Sequence, residues 1–404
     1  MKIVYTVNAR LPTEKAHGYQ IIKMCEAFAQ NGAEVLLLHP FRYQHNRRLM
    51  EQSVFDYYGV SPVFEIQMLP NLDVQLLERF FPKGTFMPVF FAHALLWGLY
   101  AALMAQKEKA TLYYTRSGEI AFWLVRMGLP TVYEAHVMPK RGRRWLLQQI
   151  IRHPALRLVV VLTSFIRERF AELGFTAEKC IVLPDAVDLS LFEGLPSKEE
   201  CQRRLGLPLD RIVVGYIGRF RTMEMEKGIP ELVQAVAHLL PFDGREPLLL
   251  CVGGPMDAVP AYLDLAHRFS VFEHRLRFVD RVPNKEVPLW IRACDVVTIP
   301  WPWTEFSAYF TSPLKLFEYM AAGVPIVATD LPSIREVLRH RENAWLVEPG
   351  NPKALAEGIE RTLSDVELAA RISQQAREDV GQYTWTERAR RIEDFRLSNA
   401  QIST

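Results

Sequence analysis

Short apolar runs alternate with helical patterns along the whole chain. The first run is Lys2–Val7, a helical spacing of apolar residues covers Gly18–Gln30, and a second run covers Glu34–His39. A short apolar run predicts a buried strand, and apolar residues that recur every three or four positions predict an amphipathic helix. The alternation therefore predicts an α/β protein with parallel sheets.

The alternation is interrupted once and then starts again. Strand-like Ile181–Pro184 leads into the sequence DAVDLSLF, and after a polar helical segment a new apolar run begins at Arg211. A chain of 404 residues, 49% hydrophobic and 23% charged, can form two globular domains with large cores. We predict domains at residues 1–190 and 191–380, followed by a last amphipathic helix in residues 381–404.

The stretch Ile299–Asp330 is the most informative part of the sequence. Two apolar runs flank a helical pattern, which predicts a crossover helix whose N-terminus lies beside the ends of parallel strands. Ser312 is expected to cap this helix and Pro313 to occupy its first position, so that the N–H groups of Leu314 and Lys315 remain free. Free N–H groups and the helix dipole favour a phosphate.

Glu318 falls at the border of the apolar arc of the same helix, where it is only half-sheltered from water. A carboxylate in such a place can simply be solvated or pair with a nearby cation, here Lys315 or Arg335. The surrounding sequence SPLKLFEYMAAGVPIVATD resembles the donor-binding motif of the family-four class of retaining glycosyltransferases. The resemblance implies two Rossmann-like domains facing across a cleft, the GT-B fold. It also implies that Glu318 holds the ribose of a nucleotide sugar, and that main-chain amides of Ser312–Lys315 bind its diphosphate.

Other positions of the second half fit the same resemblance. Gly218-Arg219 and Lys227 follow a predicted strand and match the family's GR…KG pattern, in which Arg and Lys neutralise the leaving diphosphate. Gly253 lies in the next tight turn, where glycine lets the backbone approach a ligand, although a plain turn explains it equally. The resemblance implies that the turn at Arg281-Val282 meets the nucleotide base.

One position departs from the family pattern. The family has another Glu eight residues before the Glu of the FEYMA segment, and this chain has Phe310 there. One usual contact to the sugar ring is therefore missing, so the motif does not fix the donor sugar.

The first βα loop holds three candidate acceptor residues. The loop is longer than a dinucleotide phosphate turn and lacks the pattern GxGxxG, which argues against a dinucleotide there. The resemblance implies that Arg10, His17 and Gly18 in this loop contact the acceptor. An ordinary solvated loop is the alternative for each of them.

Two further candidates follow the strands of the first half. Arg116 comes after TLYYT and is a weaker acceptor candidate. Glu134 and His136 are two residues apart at the end of a strand and therefore share a side. The resemblance implies that His136 is the catalytic His of the first domain, and the alternative is a structural histidine.

Two segments bear on membranes. Phe86–Ala105 is apolar apart from His93 and is long enough to span a bilayer. Because Pro88 and Gly98 interrupt it and a strand follows at once, we predict a buried or interfacial helix, with deeper insertion as the alternative. A basic cluster after His136 is typical of a helix on anionic lipid, and equally of a solvated helix with a core-facing stripe. The cluster contains Lys140, Arg141, Arg143, Arg144 and Trp145.

The overall composition mainly argues against some classes of ligand and location. A formal net charge of +2 gives no reason to expect nucleic acid. Five scattered cysteines form no disulfide or metal pattern, and the chain opens on a strand rather than a leader. We therefore expect a cytoplasmic protein, at most peripheral at the inner face of the membrane. No DxD-like pair follows a strand, so we expect no metal and no cofactor.

The resemblance implies a retaining, metal-independent glycosyltransferase of the hexosyltransferase type. It would move a sugar from a nucleotide diphosphate sugar to a saccharide or glycolipid acceptor, as in polysaccharide biosynthesis. It also implies that the last helix crosses back to the first domain. Two alternatives remain: a nucleotide-sugar epimerase of the same fold, and a catalytically silent nucleotide-sugar-binding partner of another transferase, which Phe310 would fit.

Overall fold

The computed structural model describes residues 1–43, 49, 51–82, 85–136, 138, 143–222 and 225–401, with side chains described as far as residue 395. The chain divides into two compact units, Met1–Pro184 with Trp385–Thr404, and Asp185–Thr384. The boundaries lie at 184 and 384 rather than at 190 and 380. The reason is that Val187 pairs with Thr384 and its N–H donates to the Tyr383 carbonyl at 2.9 Å, so both crossing segments belong to the second unit.

A parallel sheet forms the centre of the first unit. Its strands within the described residues are arranged in the order β3-β2-β1-β4-β5-β6-β7. The strands are β1 Lys2–Thr6, β2 Glu34–Pro40, β3 Glu65–Leu69, β4 Leu112–Thr115, β5 Thr131–Ala135, β6 Leu156–Val161 and β7 Cys180–Val182. The helices are α1 Ala16–Gln30, α2 Val54–Tyr58, α3 Met87–Lys107, α4 Gly118–Arg126, α5 Arg144–Ile151 and α6 Ser164–Glu172, with a 3₁₀ helix at Val74–Phe80.

The second unit repeats this plan with the sheet order β12-β11-β8-β13-β14-β15 over its described strands. The strands are β8 Arg211–Ile217, β9 Arg221–Thr222, β10 Met225–Glu226, β11 Glu246–Val252, β12 Leu276–Val279, β13 Val296–Ile299, β14 Ile326–Thr329 and β15 Trp345–Val347, of which β9 and β10 form a separate antiparallel pair. The helices are α7 Lys198–Arg204, α8 Ile229–His238, α9 Val259–Arg268, α10 Val287–Arg292, α11 Glu305–Tyr309, α12 Leu314–Ala322, α13 Pro332–Arg335, α14 Pro352–Ser364 and α15 Val366–Asp379.

Apolar side chains cover both faces of the second sheet. Val213 and Ile217 of β8 point into one buried cluster, and Val214 and Tyr216 point into another. Alternate residues of a strand face opposite sides, and a parallel sheet covered on both sides needs apolar residues at both sets of positions. This explains why the strands appear in the sequence as unbroken apolar runs.

Each sheet contains a point where the strand order reverses. The chain goes from β1 to β2 on one side and later adds β4 on the other, and likewise it goes from β8 to β11 and later adds β13. Ligands of open α/β sheets bind beyond the carboxyl ends of the strands at such points. The loops after β1 and β4, and those after β8 and β13, are therefore the places to look for a site.

The last helix, α16 (Trp385–Gln401), belongs to the first unit. It packs along α1, where the Trp385 ring meets the Tyr19 ring edge to face at 6.3 Å. The Asn31 side chain at the end of α1 donates to the Thr386 carbonyl at 3.1 Å. The first unit is thus built from two separate stretches of chain.

Helix α3 combines a buried stripe with an open apolar face. The stripe packs on α4, where the Trp123 indole N–H donates to the Leu95 carbonyl at 2.9 Å. Of the helices in the described part of the chain, only α3 is long and apolar enough to cross a membrane, and 28% of its apolar stretch is buried. The helix packs on the first unit through this stripe, whereas large apolar side chains such as Leu96 and Leu103 remain exposed. The buried stripe consists of Ala94, Trp97, Gly98, Ala101, Ala102 and Ala105.

Candidate functional site

The N-terminus of α12 lies at the strand-order reversal of the second sheet, in the connection from β13 to β14. The helix begins at Leu314, so Pro313 lies just before the first position and not in it as predicted, and no side chain caps the helix. The prediction that Ser312 caps the helix is wrong, because its hydroxyl accepts a hydrogen bond from the Asp185 N–H at 2.8 Å. N–H groups in the first turn of a helix have no partner within the helix. Those of Leu314 and Lys315 are therefore placed to bind an anion.

Tyr319 fixes α12 against the end of β8. Its hydroxyl accepts a hydrogen bond from the Ile217 N–H at 2.8 Å and donates to the Ile217 carbonyl at 3.2 Å. The side chain is completely buried, so water does not compete for these bonds. The helix and the turn that follows β8 are thus held side by side. Sequence reasoning missed this tyrosine, although it stands next to Glu318.

Two glycines let the loop after β8 approach its neighbours. A Cβ on Gly228 would lie 1.8 Å from the Pro300 carbonyl oxygen, and one on Gly218 would lie 2.5 Å from the Lys315 Nζ. Both glycines have positive φ, +85° and +146°, which side chains rarely adopt. A side chain on Gly228 would clash with the Pro300 backbone and push the loop away from β13, whereas one on Gly218 would displace the flexible end of the Lys315 side chain.

Two cations of the predicted GR…KG pattern lie along this loop. The Lys227 Nζ is 4.3 Å from the centre of the Trp301 ring and 5.7 Å from that of Phe306, and burial lowers its pKa. The Arg219 guanidinium is exposed and forms no ion pair or hydrogen bond with the described residues. Neither charge is neutralised by a carboxylate of the described structure, so both are available to an anion.

Lys315 adds a third cation close to the same turn. Its side chain is 9% exposed, and its Nζ lies 3.5 Å from the centre of the Tyr216 ring. Burial, and next the charge of Lys227, hold the pKa of Lys315 well below its usual range. The sequence pointed to the main-chain amide of this residue and, as an alternative, to an ion pair with Glu318, whereas the structure places its side chain over the Tyr216 ring.

Glu318 is half-buried and forms no ion pair with a described residue. The alternative that it pairs with Lys315 or Arg335 does not hold, because Arg335 pairs with Asp330 and Lys315 lies over Tyr216. Burial raises the pKa of Glu318 to about 7, and the Lys315 charge opposes that rise. The carboxyl group is free to accept hydrogen bonds from a ligand.

The remaining donor candidates lie along the same edge of the sheet. A Cβ on Gly253 would lie 2.6 Å from the Gly218 carbonyl carbon, and one on Gly254 would lie 2.5 Å from the Asp280 Oδ1. The exposed Arg281 and the half-buried Val282 follow β12, one strand further out. The turns after β8, β11 and β12 therefore follow neighbouring parallel strands at the same end of the sheet. Phe310 is half-buried and follows the last residue of α11, four positions before α12 begins.

His136 lies just after β5 in the first unit, with both ring nitrogens engaged. Its Nε2 is 2.7 Å from the Glu134 Oε1, and the Arg116 guanidinium donates to its Nδ1 at 2.9 Å. The ring therefore carries its proton on Nε2. Burial, followed by the Arg116 charge, lowers the pKa of His136 to about 4, so the imidazole is neutral at physiological pH. Its predicted catalytic role stays a prediction.

Arg388 of α16 completes this network and was missed from the sequence. Its guanidinium donates to the Glu134 Oε1 at 2.9 Å and to the Pro184 carbonyl at 3.0 Å, and both charged side chains are 3% exposed. Burial alone would raise the pKa of Glu134, but Arg388 and Arg116 hold it well below its usual range. The sequence did contain a sign that Arg388 is buried, because its spacing places it on the same helix face as Trp385 and Ile392.

The acceptor candidates lie at the carboxyl edge of the first sheet. Burial, and next the charge of Arg116, lower the pKa of His17 to about 4. The Arg116 guanidinium donates to the Gln20 Oε1 at 2.9 Å, and that of Arg10 reaches the Tyr43 carbonyl at 3.5 Å.

Close packing against Tyr58 explains why position 18 is a glycine. A Cβ there would lie 2.1 Å from the Tyr58 hydroxyl, and this hydroxyl also bonds both the N–H and the carbonyl of Thr13. Tyr58 thus fills the space beside Gly18 and ties down the first βα loop.

The predicted basic cluster is only partly described. Arg141 lies outside the described residues. The Arg143 guanidinium lies 4.4 Å from the centre of the Phe91 ring of α3 and 3.4 Å from the Glu119 Oε1, whereas Arg144 is exposed. Trp145 is 47% exposed and packs edge to face on Phe122.

These two parallel-sheet units, with an anion-type site at the edge of the second, define a protein of the GT-B fold. The crystal structure of Anabaena HepE in complex with UDP matches with a TM-score of 0.71 and 20% identity, over 98% of this chain and 100% of that one. The predicted fold class is therefore confirmed.

Sequence comparison gives the family. Residues 211–365 match the family described as glycosyl transferases group 1. The D-inositol 3-phosphate glycosyltransferase of Xylanimonas cellulosilytica is 30% identical over 297 residues, 69% of this chain and 68% of that protein. The protein of the same name from Thermobispora bispora is 27% identical over 303 residues, 69% and 68% of the two chains. The chain belongs to the group 1 glycosyltransferases.

Proposed function

We propose that this protein transfers a sugar from a nucleotide diphosphate sugar to an acceptor, with retention of the anomeric configuration. One observation supports the proposal above all: uncapped amides at the start of α12, the free Arg219 and the unpaired Lys227 border the same turn. A diphosphate is the part of a nucleotide sugar that such groups recognise. Because Anabaena HepE binds UDP, uridine nucleotides are the first donors to test.

The chemistry follows from the charge that develops on the diphosphate. When the bond between the sugar carbon and the phosphate oxygen breaks, the leaving diphosphate gains negative charge, and fixed cations nearby stabilise it. The acceptor oxygen forms its bond to the sugar carbon on the same face, and a diphosphate oxygen takes the acceptor proton. Arg219 and Lys227 supply the positive charge, so we propose that no metal ion is needed.

We propose a saccharide or glycolipid acceptor that carries an anionic group. The support is Arg10 at the edge of the first sheet, whose guanidinium donates to the Tyr43 carbonyl oxygen at 3.5 Å and forms no ion pair with a described residue. The relatives named above act, by their name, on inositol 3-phosphate, a phosphate monoester. Acceptor screens should therefore pair each sugar with its phosphorylated form.

We also propose peripheral contact with the anionic inner face of a membrane, as part of a cytoplasmic, membrane-associated role in polysaccharide biosynthesis. The apolar face consists of exposed residues of α3 and of the segment before it, with Leu72 73%, Phe80 69% and Leu96 69% exposed. The two parts are in contact, because the ring centres of Phe81 and Phe86 lie 5.3 Å apart. The basic start of α5 lies beside α3 through the contact of Arg143 with Phe91. Exposed apolar area next to basic residues fits an anionic lipid surface.

Turnover of nucleotide sugars tests the proposal. The purified protein is incubated with UDP-, GDP- and ADP-hexoses, with and without acceptors, and products are followed by NMR. Release of the nucleoside diphosphate together with a glycoside of unchanged anomeric configuration is the expected result. Formation of an epimer without acceptor would show an epimerase instead. Binding without turnover would show a silent partner, which Phe310 in place of Glu favours.

A further inference from the structure

The Lys315 ammonium group is buried without a partner. Its Nζ makes no hydrogen bond with any described atom, although the side chain is more than nine-tenths buried. The Nζ lies 3.5 Å from the centre of the Tyr216 ring, and a Cβ on Gly218 would lie 2.5 Å from it. An unpaired ammonium in such a place is unfavourable for folding, because it loses water and gains no equivalent bond.

The surroundings of Lys315 point to an anion as the missing partner. The residue occupies the second position of α12, so its own N–H is one of the free amides at the start of that helix. The positive charge of Lys227 lowers the pKa of Lys315, and the carboxylate of Glu318, which has no ion pair with a described residue, raises it. The local charge is therefore positive in the empty site.

The turn that contains Gly218 lies directly against the end of the Lys315 side chain. A Cβ on Gly218 would lie 2.5 Å from the Lys315 Nζ and 2.6 Å from its Cε, so glycine is what leaves room for the lysine. A flexible four-carbon chain can turn its ammonium from the Tyr216 ring to a ligand above the turn.

We propose that the Lys315 side chain binds the diphosphate of the donor, as a third cation beside Arg219 and Lys227. The inference rests on the proposed function and deepens it, because it gives the side chain of Lys315 a binding role. In the empty site the ammonium lies over Tyr216. When a diphosphate binds, the ammonium exchanges that ring for phosphate oxygens. Burial of the unpaired ammonium group therefore lowers the stability of the folded protein when no ligand is bound, and a bound diphosphate would supply the missing partner.

Lys315→Met tests this, since it removes the charge and keeps the length of the chain. Binding of UDP, UMP and uridine is measured by calorimetry, and the melting temperature is measured without ligand and with saturating UDP. We expect the empty variant to melt at the same temperature as the wild type or higher. We expect its UDP affinity to fall by about tenfold or more, with uridine affinity within about twofold of the wild type.

Lys353→Met is the matched control, because Lys353 is an exposed lysine of the same unit, on α14. It should change neither UDP affinity nor melting temperature. Lys315→Gln is a second variant with a polar end group, and the same loss of UDP affinity is expected.

The outcomes separate this inference from the proposed function. If the wild type binds none of UDP, GDP and ADP, the proposed function fails and this inference fails with it. If the wild type binds UDP and both Lys315 variants bind it equally well, only this inference fails. If the variants melt at a lower temperature and lose UDP and uridine affinity alike, Lys315 is a structural residue and the inference is likewise overturned.

Discussion

At the edge of the second sheet, the sequence motif predicted which residues bind the donor, and the structure adds which side chains they contact. The sequence motif predicted that Glu318 and the amides of Ser312–Lys315 bind the donor, because these are local features of one helix. The motif could not show that the Lys315 side chain lies over Tyr216, because that contact joins α12 to β8, far apart in the sequence. It also gave Ser312 the wrong role, since the partner of its hydroxyl is Asp185 at the start of the unit.

Glu318→Gln should stabilise the empty protein at alkaline pH. The pKa of Glu318 is raised from 4.5 to about 7, so its stabilising contribution is full below pH 4.5 and is lost as the pH rises through about 7. A glutamine resembles the protonated carboxyl group at every pH. We expect the variant to gain on the order of 2 kcal/mol in unfolding free energy at pH 8 and little at pH 5.

Denaturant unfolding at the two pH values measures this difference. Glu305→Gln, an exposed carboxylate on α11, is the control and should show no such dependence. An equal effect of Glu318→Gln at pH 5 and pH 8 would contradict the account. The same variant should bind UDP more weakly, by about fivefold or more, if the carboxylate accepts ribose hydrogen bonds.

At the scale of elements, α16 is the part that sequence reasoning understood least. Its amphipathic pattern predicted a helix, but the pattern did not single out Arg388 from the other arginines of the segment. The structure shows that Arg388 pairs with Glu134 at the end of β5, a strand far away in the chain. Only the three-dimensional packing of α16 on the first unit reveals this partner.

Arg388→Met should destabilise the protein strongly. It leaves the Glu134 carboxylate buried with one charge partner fewer, and breaking a buried pair from one side costs about 3–5 kcal/mol. Arg390→Met is the control on the same helix, because Arg390 is 57% exposed and its ion pairs should contribute about 0–1 kcal/mol. Denaturant unfolding followed by circular dichroism measures both.

The double variant Glu134→Gln/Arg388→Met gives a second check. Removing both charges should recover part of the loss, because no lone buried charge remains. A double variant that is less stable than Arg388→Met alone would argue against a buried ion pair as the cause.

Helix α3 leads to a prediction about membranes. The wild type should sediment with vesicles that contain phosphatidylglycerol and much less with pure phosphatidylcholine vesicles. Leu96→Glu and Arg144→Glu should each lower the bound fraction, with about a fivefold loss of partition coefficient for Arg144→Glu. Leu240→Glu changes an equally exposed leucine of the second unit and should have no effect. Undiminished sedimentation of both α3 and α5 variants would reject the proposed contact.

At the scale of the molecule, the repeated α/β alternation predicted the two Rossmann-like units well, because buried parallel strands leave an unmistakable apolar pattern. The boundaries were less accurate. Residues 185–187 look like a linker in the sequence, yet backbone pairing with residues 383–384 makes them part of the second unit. Pairing between segments so far apart in the chain produces no recognisable pattern in the sequence of either segment.

The proposed charge stabilisation by Arg219 and Lys227 predicts turnover without a metal ion. Prior treatment with EDTA, with no metal added back, should leave the rate of UDP release within about twofold of the untreated enzyme. Added Mg²⁺ or Mn²⁺ should not raise it further. A rate that falls tenfold with EDTA and returns with Mn²⁺ would show that a metal supplies the charge.

The central claim is that the edge formed by α12 and the loop after β8 binds the diphosphate of a nucleotide sugar. Calorimetric titration of the wild type and of Arg219→Met/Lys227→Met with UDP and with uridine tests it most directly, using GDP or ADP with the matching nucleoside if one of them binds better. The account predicts that the wild type binds the diphosphate at least about tenfold more tightly than the nucleoside, and that the double variant loses this preference. Equal affinity of the wild type for diphosphate and nucleoside, or an unchanged preference in the double variant, would contradict it.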